Sequence, residues 1–287
     1  MKTKLILLAL VSALGLEPLA LVRAATTIDT TNKYAWGANL GWMDCRGDTN
    51  NGAVIGEYVC SGCIYAANVG WINLGNGSPP GGIYYTNTSA DNWGVNQDGL
   101  GNLRGYAWGA NIGWINFEST GAPKVDLYTG KFSGYAWSAN CGWISLSNAV
   151  ADVQTDTIQR GALAPNGLPI AWLLVNFGTT NVNAGADPDH DGMSNLQEYL
   201  AGTNPNNSDD FLRITNITHG VYGPTYTTLL WASKPTRFYA VQQADALGGA
   251  SFADRFVLPY AGANNVGFDD YQTNSFYRVR AFRPLMP

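Results

Sequence analysis

Charged side chains are scarce in this 287-residue chain, at 13% of the sequence, and histidine occurs only twice. Low charge together with 34 glycines is typical of a turn-rich β protein rather than a helical one. With only His190 and His219, the sequence offers no histidine-based metal trio and no nucleophile with its base. The net charge is −5, which makes nucleic acid and anionic membranes poor partners. We therefore expect a mainly β protein that binds neither.

Long apolar runs are also few. Residues 5–16 form one such run after Met1-Lys-Thr-Lys4, and Glu17 and Pro18 end it before the small-residue pattern Val22-Arg23-Ala24. This arrangement predicts a signal peptide over residues 1–24. No later run approaches the roughly 20 apolar residues of a membrane helix. We expect no membrane span and a secreted or cell-surface location.

One short phrase of aromatic and small residues occurs four times in the first half of the chain. Each copy places two aromatic runs around a turn that contains asparagine and glycine, the pattern of a β-hairpin. The interval from Trp42 to Trp71 equals that from Trp114 to Trp143, which indicates duplication of a two-copy unit. The copies are residues 34–42, 64–71, 106–114 and 135–143. One hairpin is unstable alone, so we expect the copies to bury their aromatic faces against one another in a closed, sandwich or open arrangement.

The third copy shows the two-residue alternation of a half-buried strand. Trp114 and Asn116 share one face, while Ile115 and Phe117 share the other. The regularly spaced tryptophans favour a core role over a ligand-binding role. Trp93 lies outside the repeated phrase and is the better candidate for an exposed contact.

Four cysteines fall in the repeat region, and disulfides are usual in an exported protein. Alignment of the copies puts Cys45, Cys60 and Cys141 where other copies have apolar residues. These positions predict structural bridges rather than a metal or redox role, because the pair Cys60-Ser-Gly-Cys63 has no second pair beside it. Of the possible pairings, we favour Cys45 with Cys60 and Cys63 with Cys141.

Residues 187–198 form the one chemically specific motif. Oxygen donors stand at loop positions 1, 3, 5, 9 and 12, glycine stands at position 6, and a backbone carbonyl serves at position 7. Three carboxylates within five residues repel one another unless a cation neutralises them. We predict Ca²⁺ bound by the side chains of Asp187, Asp189, Asp191, Asn195 and Glu198 and by the carbonyl of Met193.

The flanks of this loop resemble the thrombospondin type 3 and dockerin-like calcium repeats of secreted bacterial proteins. An apolar helix predicted over residues 168–177 is separated from Asp187 by residues 178–186, whereas the entering helix of an EF-hand abuts its loop. A second helix is predicted over residues 195–201. The resemblance covers about residues 168–210 and implies a structural ion that stiffens a junction between domains. Asn204 stands where these families commonly carry Asp, which weakens the case for a second ion.

The remaining residues return to a strand pattern. Strands predicted over residues 211–217, 225–231, 237–242 and 276–281 suggest a small antiparallel sandwich. The second and last of them are similar to strands of fibronectin type III-like domains, which implies a spacer or adhesion module. The predicted domains are a signal peptide (1–24), a Trp-rich β-repeat domain (25–150), a linker with short helices and a calcium loop (151–210), and a β-sandwich (211–287).

This domain order resembles that of secreted, multi-domain surface proteins of bacteria. We expect a calcium-binding structural or adhesive protein without catalytic activity, whose partners are extracellular polysaccharide or cell-surface and matrix components. One alternative is a carbohydrate-binding protein in which tryptophans stack on sugar rings. Its hydrogen-bond donors would be Asn39, Asn68, Asn111 and Asn140. A second alternative is a glycoside-active enzyme with its acids among Glu57, Asp91, Asp98 and Glu118.

Overall fold

The computed structural model describes residues 26–47, 50–220, 225–244, 252–258, 262–270, 275–283 and 285. The predicted signal peptide lies outside these residues. The protein is mainly β, as expected, with two short α-helices among the described residues. None of these helices has the length and apolar character needed to cross a bilayer.

The first half of the chain contributes twelve strands: β1 (Ile28–Gly37), β2 (Gly41–Asp44), β3 (Ser61–Ala66), β4 (Gly70–Asn76), β5 (Val95–Gln97), β6 (Leu103–Gly109), β7 (Gly113–Asn116), β8 (Lys124–Val125), β9 (Phe132–Ser133), β10 (Tyr135–Ser138), β11 (Gly142–Ser145) and β12 (Val153–Thr155). A 3₁₀ turn, Ser119–Gly121, follows β7. The helices are α1 (Ile170–Phe177) and α2 (Asn195–Ala201). The last strands are β13 (Ile214–His219), β14 (Tyr226–Trp231), β15 (Phe238–Ala244), β16 (Ala253–Val257), β17 (Asn265–Asp269) and β18 (Phe276–Phe282).

The four repeated phrases form four hairpins that close into a ring of eight antiparallel strands. Their order is β1-β2-β3-β4-β6-β7-β10-β11, and β11 pairs back onto β1 with Trp36 opposite Ser145. Of the arrangements that the sequence left open, the structure adopts the closed one. Strand β12 also pairs with β1, so the sheet continues past residue 150.

The side of the sheet that carries the tryptophans differs from the expectation. The predicted alternation is confirmed, since Ile115 and Phe117 are buried while Trp114 is exposed. The prediction that the tryptophans form the core is wrong, because the aliphatic face points inward. At equivalent places in the four hairpins the interior holds Met43, Ile72, Ile115 and Ile144, and the residues paired with them are Ala35, Ile64, Ala107 and Ala136. Small and medium side chains fill a narrow ring, and the large indoles are left outside.

The four hairpin turns are joined by what we call the asparagine ring. The side-chain amide of each repeated asparagine donates to a backbone carbonyl in the turn of the neighbouring hairpin. The pairs are Asn39 to Cys141, Asn68 to Leu40, Asn111 to Val69 and Asn140 to Ile112, at distances from 2.9 to 3.1 Å. The cycle closes on itself. One N–H of each amide thus serves the fold, and the suggested role of these side chains as donors to a sugar stays a prediction.

The three cysteines predicted at core positions are buried, but the predicted disulfides are wrong. Cys45, Cys60 and Cys141 lie in the ring core, and no disulfide forms among the described residues. Burial raises the pKa of the Cys45 and Cys60 thiols to about 12. The disulfides were predicted because they are usual in exported proteins. In the structure these thiols replace the apolar side chains of the other copies and pack as small hydrophobic groups.

The later segments follow the predicted elements closely. Helix α1 begins at Ile170, just after Pro169, and α2 spans the predicted residues. The last part of the chain forms two antiparallel sheets, β13-β14-β17 and β16-β15-β18, around a shared core that includes Trp231, Tyr239 and Phe268. Strands β16 and β17 were not predicted, because Ala253–Val257 and Asn265–Asp269 carry polar residues and a glycine that weaken the strand pattern.

Candidate calcium site and aromatic belt

The acidic loop is shaped by local hydrogen bonds that lead into α2. Gly192 has φ +94, a conformation that favours glycine, and it makes the sharp turn in the middle of the loop. Ser194 caps α2, since its side chain accepts from the Gln197 amide and the Gln197 side chain accepts from the Ser194 amide. This box fixes the helix start, and with it the positions of Asn195 and Glu198.

The three loop aspartates converge. Asp187, Asp189 and Asp191 each offer a carboxylate oxygen within 4.8 Å of the others. The Gly192 amide donates to Asp187 Oδ2 at 3.0 Å, and the Met193 amide donates to Asp191 Oδ1 at 2.7 Å. Each bond uses one oxygen of its carboxylate and leaves the other to face the loop centre.

Asn195 and Glu198 complete the cluster from the first turn of α2, and both are fully buried. The Asn195 amide group donates to the Asn183 carbonyl, and Glu198 Oε1 accepts from Thr203. Six buried side-chain oxygens of the five predicted ligand residues then have no hydrogen-bond partner. They are Asp187 Oδ1, both oxygens of Asp189, Asp191 Oδ2, Asn195 Oδ1 and Glu198 Oε2. Buried oxygens without partners are costly, and a cation held by the three converging aspartates would offset part of that cost.

The electrostatics of the cluster agree with its geometry. Burial, followed by the nearby Asp189 and Asp191 carboxylates, raises the pKa of Glu198 to about 7. Burial and the neighbouring aspartates also raise the pKa of Asp191. Among the described residues no ion pair reaches these crowded carboxylates, and an all-oxygen set of this kind suits a hard divalent cation.

Two further expectations for this loop concern His190 and the Met193 carbonyl. His190 is exposed, as expected for a residue that points away from the ligands. The Met193 sulfur accepts from the Leu212 amide, which ties the loop to the start of the last part of the chain. The role of the Met193 carbonyl stays a prediction.

A second feature lies on the outer face of the ring. Eight aromatic side chains there, which we call the aromatic belt, are 37% to 49% exposed. They are Trp36, Trp42, Tyr65, Trp71, Trp108, Trp114, Trp137 and Trp143. Each pair faces across its hairpin, as in Trp108 opposite Trp114, with ring centroids 4.7 Å apart. Trp93, expected to be the exposed contact, is half-buried and packs on Trp114 at 5.3 Å.

The ring, α2 and the last sheets meet around one tyrosine. The Tyr199 hydroxyl donates to Glu57 at 3.1 Å, and Arg283 forms an ion pair with the same carboxylate. The Tyr199 carbonyl accepts from Arg237 at 2.9 Å, and the Arg283 guanidinium lies over the Tyr199 ring at 4.3 Å. We call Glu57, Tyr199, Arg237 and Arg283 the junction cluster. Tyr199 directly follows Glu198, so the calcium loop and the junction are adjacent in the chain.

A cavity of about 450 Å³ lies at this junction and is lined by two of the four candidate acids, Glu57 and Asp98. Glu57 is committed to Arg283 and Tyr199, while Asp98 accepts from the Leu100 and Asn102 amides. Asp91 and Glu118 do not line this cavity. The structure brings Glu57 and Asp98 together, but their bonds serve the fold, and the glycosidase reading stays a hypothesis.

No protein-family model, curated protein or solved structure matches this chain.

Proposed function

We propose that this is a secreted or cell-surface protein of structural or adhesive role, braced by one Ca²⁺ ion in the acidic loop. The observation that carries the proposal is the set of six buried, unpartnered oxygens on the predicted ligand residues. Hydrogen bonds orient four of the five side chains, so the site is preorganised. The likeness to thrombospondin type 3 and dockerin-like repeats is part of this proposal.

The choice of calcium follows from the donor set. Every donor is an oxygen, whereas zinc sites usually contain cysteine or histidine. Mg²⁺ demands near-octahedral geometry and usually retains several waters, while Ca²⁺ accepts six to eight oxygens in flexible arrangements. Six unpartnered side-chain oxygens, together with the predicted Met193 carbonyl, match calcium best.

Calorimetric titration of the chelator-treated protein tests this proposal. We expect one Ca²⁺ site with a dissociation constant of about 10⁻⁴ to 10⁻³ M, the range of extracellular modules, and much weaker binding of Mg²⁺. The paired change Asp189→Asn and Glu198→Gln removes two carboxylates while keeping their shape, and should abolish the signal.

Asp209→Asn is the matched control, because Asp209 is an exposed acid near α2 but outside the loop. Its isotherm should equal that of the unchanged protein. An unaltered isotherm in the paired variant, or equal loss in the control, would sink the calcium assignment.

A second function is favoured by the outward position of the tryptophans. We propose that the aromatic belt binds extracellular polysaccharide, with indole faces against the apolar faces of sugar rings. Monomeric proteins seldom expose so many large aromatic groups together without an interaction to serve. In the asparagine ring, one N–H of each amide is bonded within the fold, so the proposed contact is made by the indole faces.

Pull-down on insoluble polysaccharides and tryptophan-fluorescence titration with soluble ones test the second function. Saturable binding should shift the emission toward the blue as exposed indoles become covered. The buried Trp172 and Trp231 should contribute a constant background. Absence of saturable binding across the panel would remove this function and leave the calcium-braced structural role untouched.

A further inference from the structure

We propose that one cleft on the outer face of the ring is a saccharide subsite. We call it the Trp137 cleft: it has a volume of about 230 Å³ and is lined by Asn116, Glu118, Thr120, Gly121, Trp137 and Trp143. The assignment rests on the polysaccharide-binding role proposed for the aromatic belt and names the place where a sugar is held.

The cleft arises from a difference between the four hairpins. The segment after each of the first three hairpins packs on the last tryptophan of the next one. A Cβ on Gly47 would lie 2.8 Å from the Trp71 ring, and Trp93 covers Trp114 at 5.3 Å. At Trp143 the covering residue is Gly121, with 3.1 Å to the same ring from its Cβ position. Trp143 therefore lacks the indole that covers Trp114, and like Trp71 it meets only a glycine, which leaves space beside it.

Two walls of the cleft are aromatic. Trp137 and Trp143 stand opposite each other across their hairpin, with centroids 4.8 Å apart and planes at 61°. They are 39% and 45% exposed. Two indoles at this angle form a corner, which can contact one face and one edge of a small ring.

The third wall supplies polar groups that are already held in place. Glu118 Oε1 accepts from the Gly105 amide at 2.9 Å, and Asn116 Oδ1 accepts from the Glu118 amide. Among the described residues, Glu118 Oε2, the Asn116 amide group and the Thr120 hydroxyl have no protein partner. One end of each of the first two side chains is thus fixed, while the other end faces the cleft.

These groups select a neutral, hydroxyl-rich ring. The carboxylate accepts hydrogen bonds from hydroxyls, the amide donates to them, and the indoles cover the apolar face. The carboxylate and the net charge of −5 oppose an anionic ligand. A volume of about 230 Å³ is below the roughly 300 to 1,000 Å³ of sites for drug-sized molecules, which suits one sugar ring of a longer chain.

Titration of the full chain with four hexasaccharides tests the assignment: β-1,4-linked glucose, xylose and N-acetylglucosamine, and β-1,3-linked glucose. Decaproline serves as a fifth probe, since tryptophan-lined grooves also bind polyproline helices. We expect one hexasaccharide to bind, and Trp137→Ala to weaken it about tenfold or more. Glu118→Gln keeps the oxygen that accepts from Gly105 and should weaken binding about tenfold without altering the fold.

Trp108→Ala is the matched control, because Trp108 occupies the equivalent place in the third hairpin and is 37% exposed. As a member of the aromatic belt it should lose less affinity than Trp137→Ala does, while Val150→Ala, outside both the belt and the cleft, should keep the affinity of the unchanged protein. If a hexasaccharide binds but Trp108→Ala weakens it as much as Trp137→Ala, or Glu118→Gln leaves it unchanged, the belt binds sugar and the cleft assignment is overturned. If only decaproline binds, or no probe binds, both the cleft and the polysaccharide role fail.

Discussion

At the residue scale, single atoms explain why all four copies of the phrase carry the asparagine and the glycine before the last tryptophan. The glycine before the last tryptophan of each hairpin has positive φ, as at Gly41 with φ +76, and it lies against the asparagine of the next hairpin. A Cβ at Gly41 would lie 3.3 Å from Asn68 Nδ2, the atom that donates to Leu40. Conformation and space at this position are therefore both restricted.

Gly41→Ala should destabilise the protein by about 1 to 2 kcal/mol, the cost of a left-handed conformation at a residue with a Cβ. Gly81→Ala is the control, because its Cβ position has nothing within 4 Å and its φ is not positive. Chemical denaturation measures both free energies of unfolding. Equal small effects in the two variants would contradict the proposed restriction.

The buried thiols should be chemically inert in the folded protein. With a pKa of about 12, Cys45 and Cys60 are ionised to about one part in ten thousand at pH 8, and burial also blocks reagents. Since the thiolate fraction rises about tenfold per pH unit below the pKa, any residual reaction should accelerate by that factor from pH 8 to pH 9.

Mass spectrometry after alkylation checks this prediction. The two residues should remain unmodified in the native protein at pH 8 and should be labelled fully in denaturant without reductant. A requirement for reductant before labelling would show a disulfide and contradict the structure.

At the element scale, α2 links the calcium loop to the junction. Glu198 provides a proposed ligand, and its backbone carbonyl accepts from the Gly202 and Thr203 amides. The next residue, Tyr199, contacts Glu57 on one side and Arg237 on the other. The helix has only seven residues, so its stability comes from these ends rather than from its length. An ion bound at its first turn should hold the whole helix in place.

Calcium should therefore slow hydrogen exchange at Gly202 and Thr203. At a hundredfold excess over the dissociation constant, binding contributes up to about 2.7 kcal/mol, or up to about hundredfold slower exchange for amides that open with the loop. In the unchanged protein the slowing should extend to residues 56–59, which Tyr199 contacts through Glu57.

Tyr199→Phe separates these two effects. It removes the hydroxyl that donates to Glu57 and should keep the calcium effect at Gly202 while reducing it at residues 56–59. Full calcium protection of residues 56–59 in this variant would show that the ion does not act through Tyr199.

The elements differ in how far the sequence predicts them. The acidic loop and α2 depend on twelve consecutive residues and their caps, so local pattern predicts the helix and the convergence of the aspartates, while the bound ion stays a prediction. The outward position of the tryptophans could not be predicted, because alternation identifies two faces of a strand but not which one lies inside. Both faces of the phrase are apolar, with Trp114 on one and Ile115 on the other, and only ring closure decides between them. The junction cluster joins Glu57 to Tyr199 and Arg283, and no local signal connects such distant residues.

At the scale of the whole molecule, closure of the ring makes four local units into one. In an open stack each repeat contacts only its neighbours, and the ends can unfold separately. Here β11 pairs with β1, the interior residues form one core cluster, and the asparagine ring passes through all four turns. A destabilising substitution in one hairpin should therefore destabilise all four hairpins together.

Ile115→Ala tests this cooperativity. The residue is 2% exposed, and its truncation should cost about 2 to 4 kcal/mol. Exchange should accelerate by similar factors in the first hairpin and the third, as global unfolding requires. Val150→Ala, at a site that is 77% exposed, should change neither the free energy of unfolding nor the exchange rates. Acceleration confined to residues 103–116 would indicate independent hairpins.

The asparagine ring also fixes the number of hairpins. Each hairpin presents one donor and one acceptor, and the last donor finds the first acceptor only when the turns complete a full circle. A linear array can gain or lose a repeat at its end at the cost of one interface, but a circle of four cannot become three or five without reshaping every joint. The geometry of the ring thus fixes the number of hairpins at four. Sequence variation is left to the outward tryptophans and the segments between the hairpins.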